Sequence, residues 1–445
     1  MRPDLRKLAL LFAALLLAAV VVAGCGGGGS SSSSESNGTA TESEAGSETE
    51  AEGGEEEAEG GEEEAEGGET GLGKEDKATG KPIVVGMLNL ENGPVAFPQY
   101  KEGTEAAIEY INNYKGGIHG RPLELVECAT DGQPATSTRC ANQIVEKEPM
   151  FILGAADTGA SGAFPVYERK KLAYIGGMPL TPVESNAKNA ATFISIVVAD
   201  NAAAAAFAKE TLKVKSASSV NVSDTQGKYT ASQIVGALKN AGLEVSEVNV
   251  SPTASDLTSP AAEAVTSSSE LIYIQVPNAC APMIKALESV GNTKPVISVA
   301  TCASPSTLEA AGPAAEEIYF PEPLELLTSG SEAAEITNAA FDEFTSEEMP
   351  RETFSVEGFA AVMNAWEVLN EAPESDLQQS KILGLFNDGK EHPNWLAHPY
   401  TCGQKEIVSQ TAVCNGSQKI TQVKNGEIVE VSKDWVNGTQ YVPAP

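Results

Sequence analysis

The sequence predicts an α/β protein built as two doubly wound parallel-sheet lobes. Three observations carry that expectation. Apolar, β-branched strand segments alternate with helical segments at the spacing that gives parallel sheets covered on both faces. The alternation runs twice, and an extended stretch, Ala191 to Val198, separates the two runs. The globular part, from Lys81 onward, is about 365 residues long, more than a single core comfortably organises.

The chain opens differently. Arg2, Arg6 and Lys7 precede an apolar run from Leu8 to Val22, and Ala23-Gly24-Cys25 closes it. That is the positive, apolar and small-residue order of an export signal. The apolar run is short for a bilayer span, which needs roughly 20 residues. A cysteine in that place resembles a bacterial lipobox, which implies that Cys25 is lipidated and residues 1–24 are removed. The protein is then expected on the outer face of the cytoplasmic membrane, held by lipid.

Residues 25–80 read as a tether. The segment after Cys25 holds seventeen acidic and two basic residues among Gly, Ser, Ala and Thr, and Ala51-Glu52-Gly53-Gly54-Glu55-Glu56-Glu57 repeats at 58–64. No apolar residue occupies a seam of this seven-residue period and each copy has two glycines, which excludes a coiled coil. Self-repulsion keeps such a linker extended. With a formal net charge of −33, the chain is a poor candidate for nucleic-acid binding.

The first run of alternation has a strand at Ile83 to Leu90 and a helix near Gln99 to Asn113, with Tyr100, Thr104, Ala107, Ile108 and Ile111 on one face. Leu123 to Glu127 is the next strand, a helix reaches Glu146, and Phe151 to Gly154 is followed by another helix. The second run has strands near Ser218 to Val222, Leu243 to Val250, Leu271 to Val276 and Pro295 to Val299. The tail from Cys402 loses the rhythm and reads as strand-like pieces near Gln418 to Val423 and Glu427 to Val431.

Six cysteines follow Cys25. They fall as local couples, read as the disulfides Cys128–Cys140, Cys280–Cys302 and Cys402–Cys414, as an extracytoplasmic compartment permits. Metal binding is the alternative, but there is no Cys-x-x-Cys, and His119, His392 and His398 are not at ligand spacing. Catalytic patterns are equally scarce. Gly227-Lys228 is followed by Tyr229, with Val222 where a phosphate loop needs its first glycine. Gly159-Ala160-Ser161-Gly162-Ala163 misses the nucleophile elbow at its last position. No enzyme, cofactor or metal is expected.

Gly116-Gly117-Ile118-His119-Gly120-Arg121-Pro122-Leu123 after Tyr110-Ile111-Asn112-Asn113 resembles the start of branched-chain amino-acid-type substrate-binding proteins of ABC importers. Val85-Gly86-Met87-Leu88 with Asn92-Gly93-Pro94-Val95-Ala96, Asp131, Asp256-Leu257-Thr258 and Phe354-Ser355-Val356-Glu357-Gly358-Phe359 fit the same family. The likeness runs in order through nearly all of 82 to 435. It implies the type I periplasmic binding protein clamshell, whose chain crosses the hinge three times. Lobe 1 is then expected at 81–200 and 323–400, and lobe 2 at 201–322 and 401–445.

Ligands of open parallel sheets sit beyond the carboxyl ends of the strands, where helix N-termini offer unpaired N–H groups. Thr158 falls where the family places a ligand hydroxyl, with Ser161 close by and Thr181 near a second such position. Helix capping is the competing role for each. Phe97 resembles an aromatic that packs on the ligand. Tyr229, Pro277, Asn278 and Thr301 stand in the corresponding lobe-two loops. The resemblance implies a monomeric receptor that captures a small molecule (an amino acid, amide or small carboxylate) and delivers it to an ABC permease. A sensor feeding a signalling receptor and a surface hydrolase are the alternatives. Amino-acid binders of the family hold the ligand ammonium with a lobe-two acid, yet Pro295 to Leu308 contains none. An unpaired buried ammonium is costly, so an uncharged or anionic ligand is expected unless Glu91 or Asp157 supplies the charge.

Overall fold

Strand β1 (Ile83–Leu90) is buried along nearly its whole length, as a strand covered on both faces must be. It is central to the first sheet of the computed structural model, which describes residues 71–93, 95–408 and 410–444. The expected signal, Cys25 and most of the tether lie outside the described residues.

The first lobe runs α1 (Pro98–Tyr114), β2 (Leu123–Thr130), α2 (Pro134–Val145), β3 (Phe151–Gly154), α3 (Ala160–Lys170), β4 (Tyr174–Gly176), α4 (Pro182–Ser185) and β5 (Ala190–Ala191). Its strands pair in parallel in the order β2-β1-β3-β4-β5. One face packs on α1 around Tyr100, Tyr110 and Ile111, and the other on α2 and α3 around Ile144 and Phe164.

The chain then crosses to the second lobe. There it forms α5 (Val198–Glu210), β6 (Ser216–Val222), α6 (Thr225–Asn240), β7 (Glu244–Val250), α7 (Thr258–Thr266), β8 (Leu271–Gln275), α8 (Cys280–Ser289), β9 (Val296–Ser298), α9 (Pro305–Ala311) and β10 (Tyr319–Glu322). The parallel part reads β7-β6-β8-β9-β10, the same strand order as in the first lobe. A second crossing returns the chain to the first lobe for α10 (Glu332–Phe344), α11 (Thr353–Glu371) and α12 (Ile382–Phe386). After a third crossing, β11 (Ser417–Lys424), β12 (Glu427–Glu430) and β13 (Val436–Asn437) extend the second sheet antiparallel. The protein is therefore an α/β clamshell with two doubly wound lobes.

Two expected boundaries shift. The tether was expected to end at residue 80, but Leu72 is 5% exposed within the first core. Asp76 N–H donates to Asn113 and Gly116 N–H to Asp76, so residues 71–80 are packed onto the first lobe. The third crossing was expected at 400/401. Cys402 and Cys414 belong to the first core, and Thr192 exchanges backbone hydrogen bonds with Ala412 and Cys414. The crossing lies at Asn415–Gly416, beside the first one, where Gln418 donates its side-chain amide to Ser195 O.

The contact that positions the site is the crossing of α1 with α11. A Cβ on Gly103 would collide with the Ser355 carbonyl, and one on Gly358 with that of Tyr100. Backbone therefore meets backbone, and Thr104 Oγ1 donates to Gly358 O at 3.2 Å. This close approach brings the starts of the two helices together.

All three disulfides form as read: Cys128–Cys140, Cys280–Cys302 and Cys402–Cys414, with Cα atoms 5.5, 5.5 and 4.5 Å apart.

Candidate functional site

Each sheet reverses its strand order beside its first strand, and such switch points open a crevice at the carboxyl edge. In the first lobe this edge carries the loops after β1, β3 and β4; in the second, those after β6, β8 and β9. Two of the hydrogen bonds between the lobes lie at this edge. Gln226 Nε2, in the first turn of α6, donates to Leu180 O at 3.1 Å. Thr353 Oγ1, at the start of α11, donates to Glu322 Oε2 at 2.8 Å.

A cavity of about 200 Å³ opens at the second contact. Ala300, Thr301 and Ala303 line it from the second lobe, Glu322 and Leu324 from the second crossing, and Phe354 from the first lobe. The exposed surface of its wall is mostly apolar, as in many small-molecule sites, and the charged side chains Glu322, Glu325, Arg351 and Glu352 also line it. Thr301 Oγ1 is buried and has no hydrogen-bond partner among the described residues. Phe97 caps α1 and stacks flat on Phe354, ring centroids 3.8 Å apart.

The expected site residues divide. Thr301 lines the cavity, and Phe97 backs it through Phe354. Thr158 is exposed and donates to Gly132 O at 3.2 Å; Ser161 is exposed on the first turn of α3. Thr181 forms a capping box with Glu184, its hydroxyl donating to Glu184 Oε2 at 3.1 Å. Tyr229 packs on the cluster of Val197, Val198, Ile407 and Val413 at the first and third crossings. Pro277 and Asn278 are exposed in the turn before α8.

Of the two acids considered as counter-charges, Asp157 is committed elsewhere. It accepts from Thr130 and the Gly159 N–H through one oxygen and from Ser137 through the other. Glu91 is half-buried, and burial, then Glu127, push its carboxyl up while Lys101 pulls it down.

The acids at the cavity came from elsewhere in the sequence. Glu322 is 4% exposed, and burial pushes its carboxyl up to about 8, against the Thr353 hydrogen bond that lowers it. Asp200, in the first turn of α5 and outside the cavity lining, is buried with both carboxyl oxygens unpartnered among the described residues. Burial and then Glu322 raise it well above the ordinary range. Glu352, the N-cap of α11, accepts from Gln99 and is also raised by burial. Sequence reasoning missed Glu322 and Phe354 as site residues. The available signal for Glu322 was an acid inside an apolar, proline-flanked strand, Tyr319-Phe320-Pro321-Glu322-Pro323.

A family model described as periplasmic binding protein matches residues 82–384. A Leu/Ile/Val-binding protein homologue of Brucella melitensis is 28% identical over 201 residues, 43% of this chain and 53% of that protein. The match thus spans about half the length of that relative. Among solved structures, a fatty acid ABC transporter substrate-binding protein from Thermomonospora curvata superposes with a TM-score of 0.68 at 17% identity, covering 80% or more of each chain (83% and 97%). A leucine binding protein from Thermotoga maritima gives 0.65 at 17% identity, over 80% of this chain and 99% of that one. All three are named as binding proteins, the one from Thermomonospora curvata as that of an ABC transporter. Among the described residues, no helix is long and apolar enough to cross a membrane.

Proposed function

The chain belongs to the periplasmic binding protein family, and from that premise we propose that it is a lipid-anchored receptor that delivers a small solute to an ABC import permease. The cavity carries this reading. Its walls come from both lobes and from a crossing between them, so a solute that fills it joins Thr301 to Phe354 and favours the closed clamshell. Closure is then the signal a permease can read. The anchor is Cys25, and the acidic tether gives the receptor reach from the membrane. The similar proteins named for leucine and fatty acids bracket the solute as a small molecule with an apolar body and one polar end.

A thermal-shift screen of amino acids, amides, carboxylates and aromatic acids, followed by small-angle scattering with each hit, tests the reading. A solute at a hundred times its dissociation constant should add about 2.7 kcal/mol to stability and shrink the radius of gyration. Stabilisation without compaction would count against a closing clamshell.

A further inference from the structure

We propose that Glu322 and Thr353 form a proton-operated latch between the lobes: the neutral Glu322 carboxyl holds the cleft closed, and its ionisation lets the cleft open. The inference goes beyond the receptor reading above and rests on its closing clamshell.

The latch follows from where the two side chains sit. Glu322 ends β10, where the chain leaves the second lobe, and Thr353 begins α11 on the first. The Thr353 hydroxyl donates to Glu322 Oε2 at 2.8 Å, so parting the lobes breaks this bond. Parting them also admits water, through the cavity that Glu322 lines, to a carboxyl that is buried here. Water stabilises an ionised carboxylate far better than a dry hinge does. Ionisation and opening therefore favour each other, and a bound proton favours closure.

The groups around Glu322 leave it without a counter-charge. From α5, Asp200 is buried, and burial and then Glu322 raise its own carboxyl. From the start of α11, Glu352 is raised by burial and accepts from Gln99. Glu325, just past β10, lines the cavity. Two cations are close in the fold. Lys419 stands opposite Glu322 in the β10–β11 pairing, but its ammonium sits 3.2 Å from Glu430 and over the Trp435 ring. Arg351 lines the cavity, and its guanidinium pairs with Asp342, donates to Asn338 and lies over the Phe341 ring. Strand β9 and the turn that carries Thr301 bring no charged residue.

Burial pushes Glu322 up to about 8, against the Thr353 bond and with a further rise from Glu352. In an open, hydrated cleft it returns toward its ordinary 4.5. Between those values the closed form holds a proton that the open form has released. The ratio of closed to open protein should then fall about tenfold per pH unit as pH rises, and closure should take up a proton.

Small-angle scattering of the ligand-free, full-length protein between about pH 6 and about pH 9 tests the latch. The wild-type radius of gyration should rise with pH and fall again on acidification. Glu322→Gln, whose amide oxygen can still accept from Thr353 but has no proton to lose, should stay compact throughout. It carries the same tether, so a change common to both proteins does not come from the latch. Thr353→Val should be expanded already at the low end. A wild-type radius that does not change, or an expansion that persists in Glu322→Gln, overturns the latch; so does a Thr353→Val radius that matches wild type across the range. The wild-type series decides even where a variant folds poorly. Solute-driven compaction at one fixed pH tests the receptor reading separately, so either can fail without the other.

Discussion

Phe97 and Phe354 stack with ring centroids 3.8 Å apart and planes 7° from parallel, although 257 positions separate them in the chain. Each stands at the start of a helix, and the crossing of α1 and α11 at Gly103 and Gly358 brings those starts together. The pair forms a rigid aromatic back wall to the cavity. Phe354→Ala should cost about 3 kcal/mol of stability, since the ring is nearly fully buried. Phe354→Leu should fold with a smaller loss yet bind solute more weakly. Urea denaturation and calorimetry on both variants separate the two effects, and unchanged affinity in the leucine variant would remove the wall from the site.

The crossing itself can be tested. Gly103→Ala or Gly358→Ala inserts a methyl where a carbonyl already sits, so the helices must move apart. Each should destabilise by about 1–3 kcal/mol. A neutral result in a urea titration would mean that α1 and α11 have slack to separate.

Stability should depend on pH through the hinge acids. Glu322 titrates at about 8 in the folded protein, against an ordinary 4.5, and Asp200 is raised in the same direction. Between those values the unfolded chain has released protons that the native state keeps. Stability therefore falls as pH rises through that window. Glu322→Gln should match wild type near pH 5 and exceed it near pH 8, by on the order of 1–3 kcal/mol. Thermal melts at the two pH values decide it. A variant less stable than wild type near pH 8 would mean that the folded protein holds Glu322 ionised and paired.

The Cys280–Cys302 bond joins the start of α8 to the turn that carries Thr301. Replacing both cysteines by serine should cost on the order of 3 kcal/mol, from the entropy of the loop the bond closes. It should also loosen the rim of the cavity and weaken solute binding. Peptide mapping without reduction checks the pairing, and a denaturation curve checks the cost.

Cys25→Ser should leave the precursor unprocessed and free of lipid, whereas the wild-type protein should partition into detergent. Mass analysis of the mature N-terminus gives the answer. A wild-type protein that begins elsewhere, without lipid, would end the anchoring proposal.

The sequence by itself determined the alternation of strand and helix, the two lobes and the three cysteine couples. These are legible because periodicity and short spacing report on one element, or two neighbours, at a time. The single-element reading of α1, for example, places Tyr100, Thr104 and Ile111 on one face, and all three are buried. Only the tertiary structure decided the site. Residues 301, 322 and 354 meet because the chain crosses between lobes just after Glu322, and no local pattern encodes which loops a crossing brings together. The same reason hid the placement of 402–414 with the first lobe and the docking of Leu72. Each depends on a partner more than 100 residues away, Thr192 in one case and the core around α10 in the other. Glu322 was overlooked as a cavity residue for that reason too. A search for acids within one loop finds none, while burial at a hinge sets both the position of Glu322 and the proton it holds.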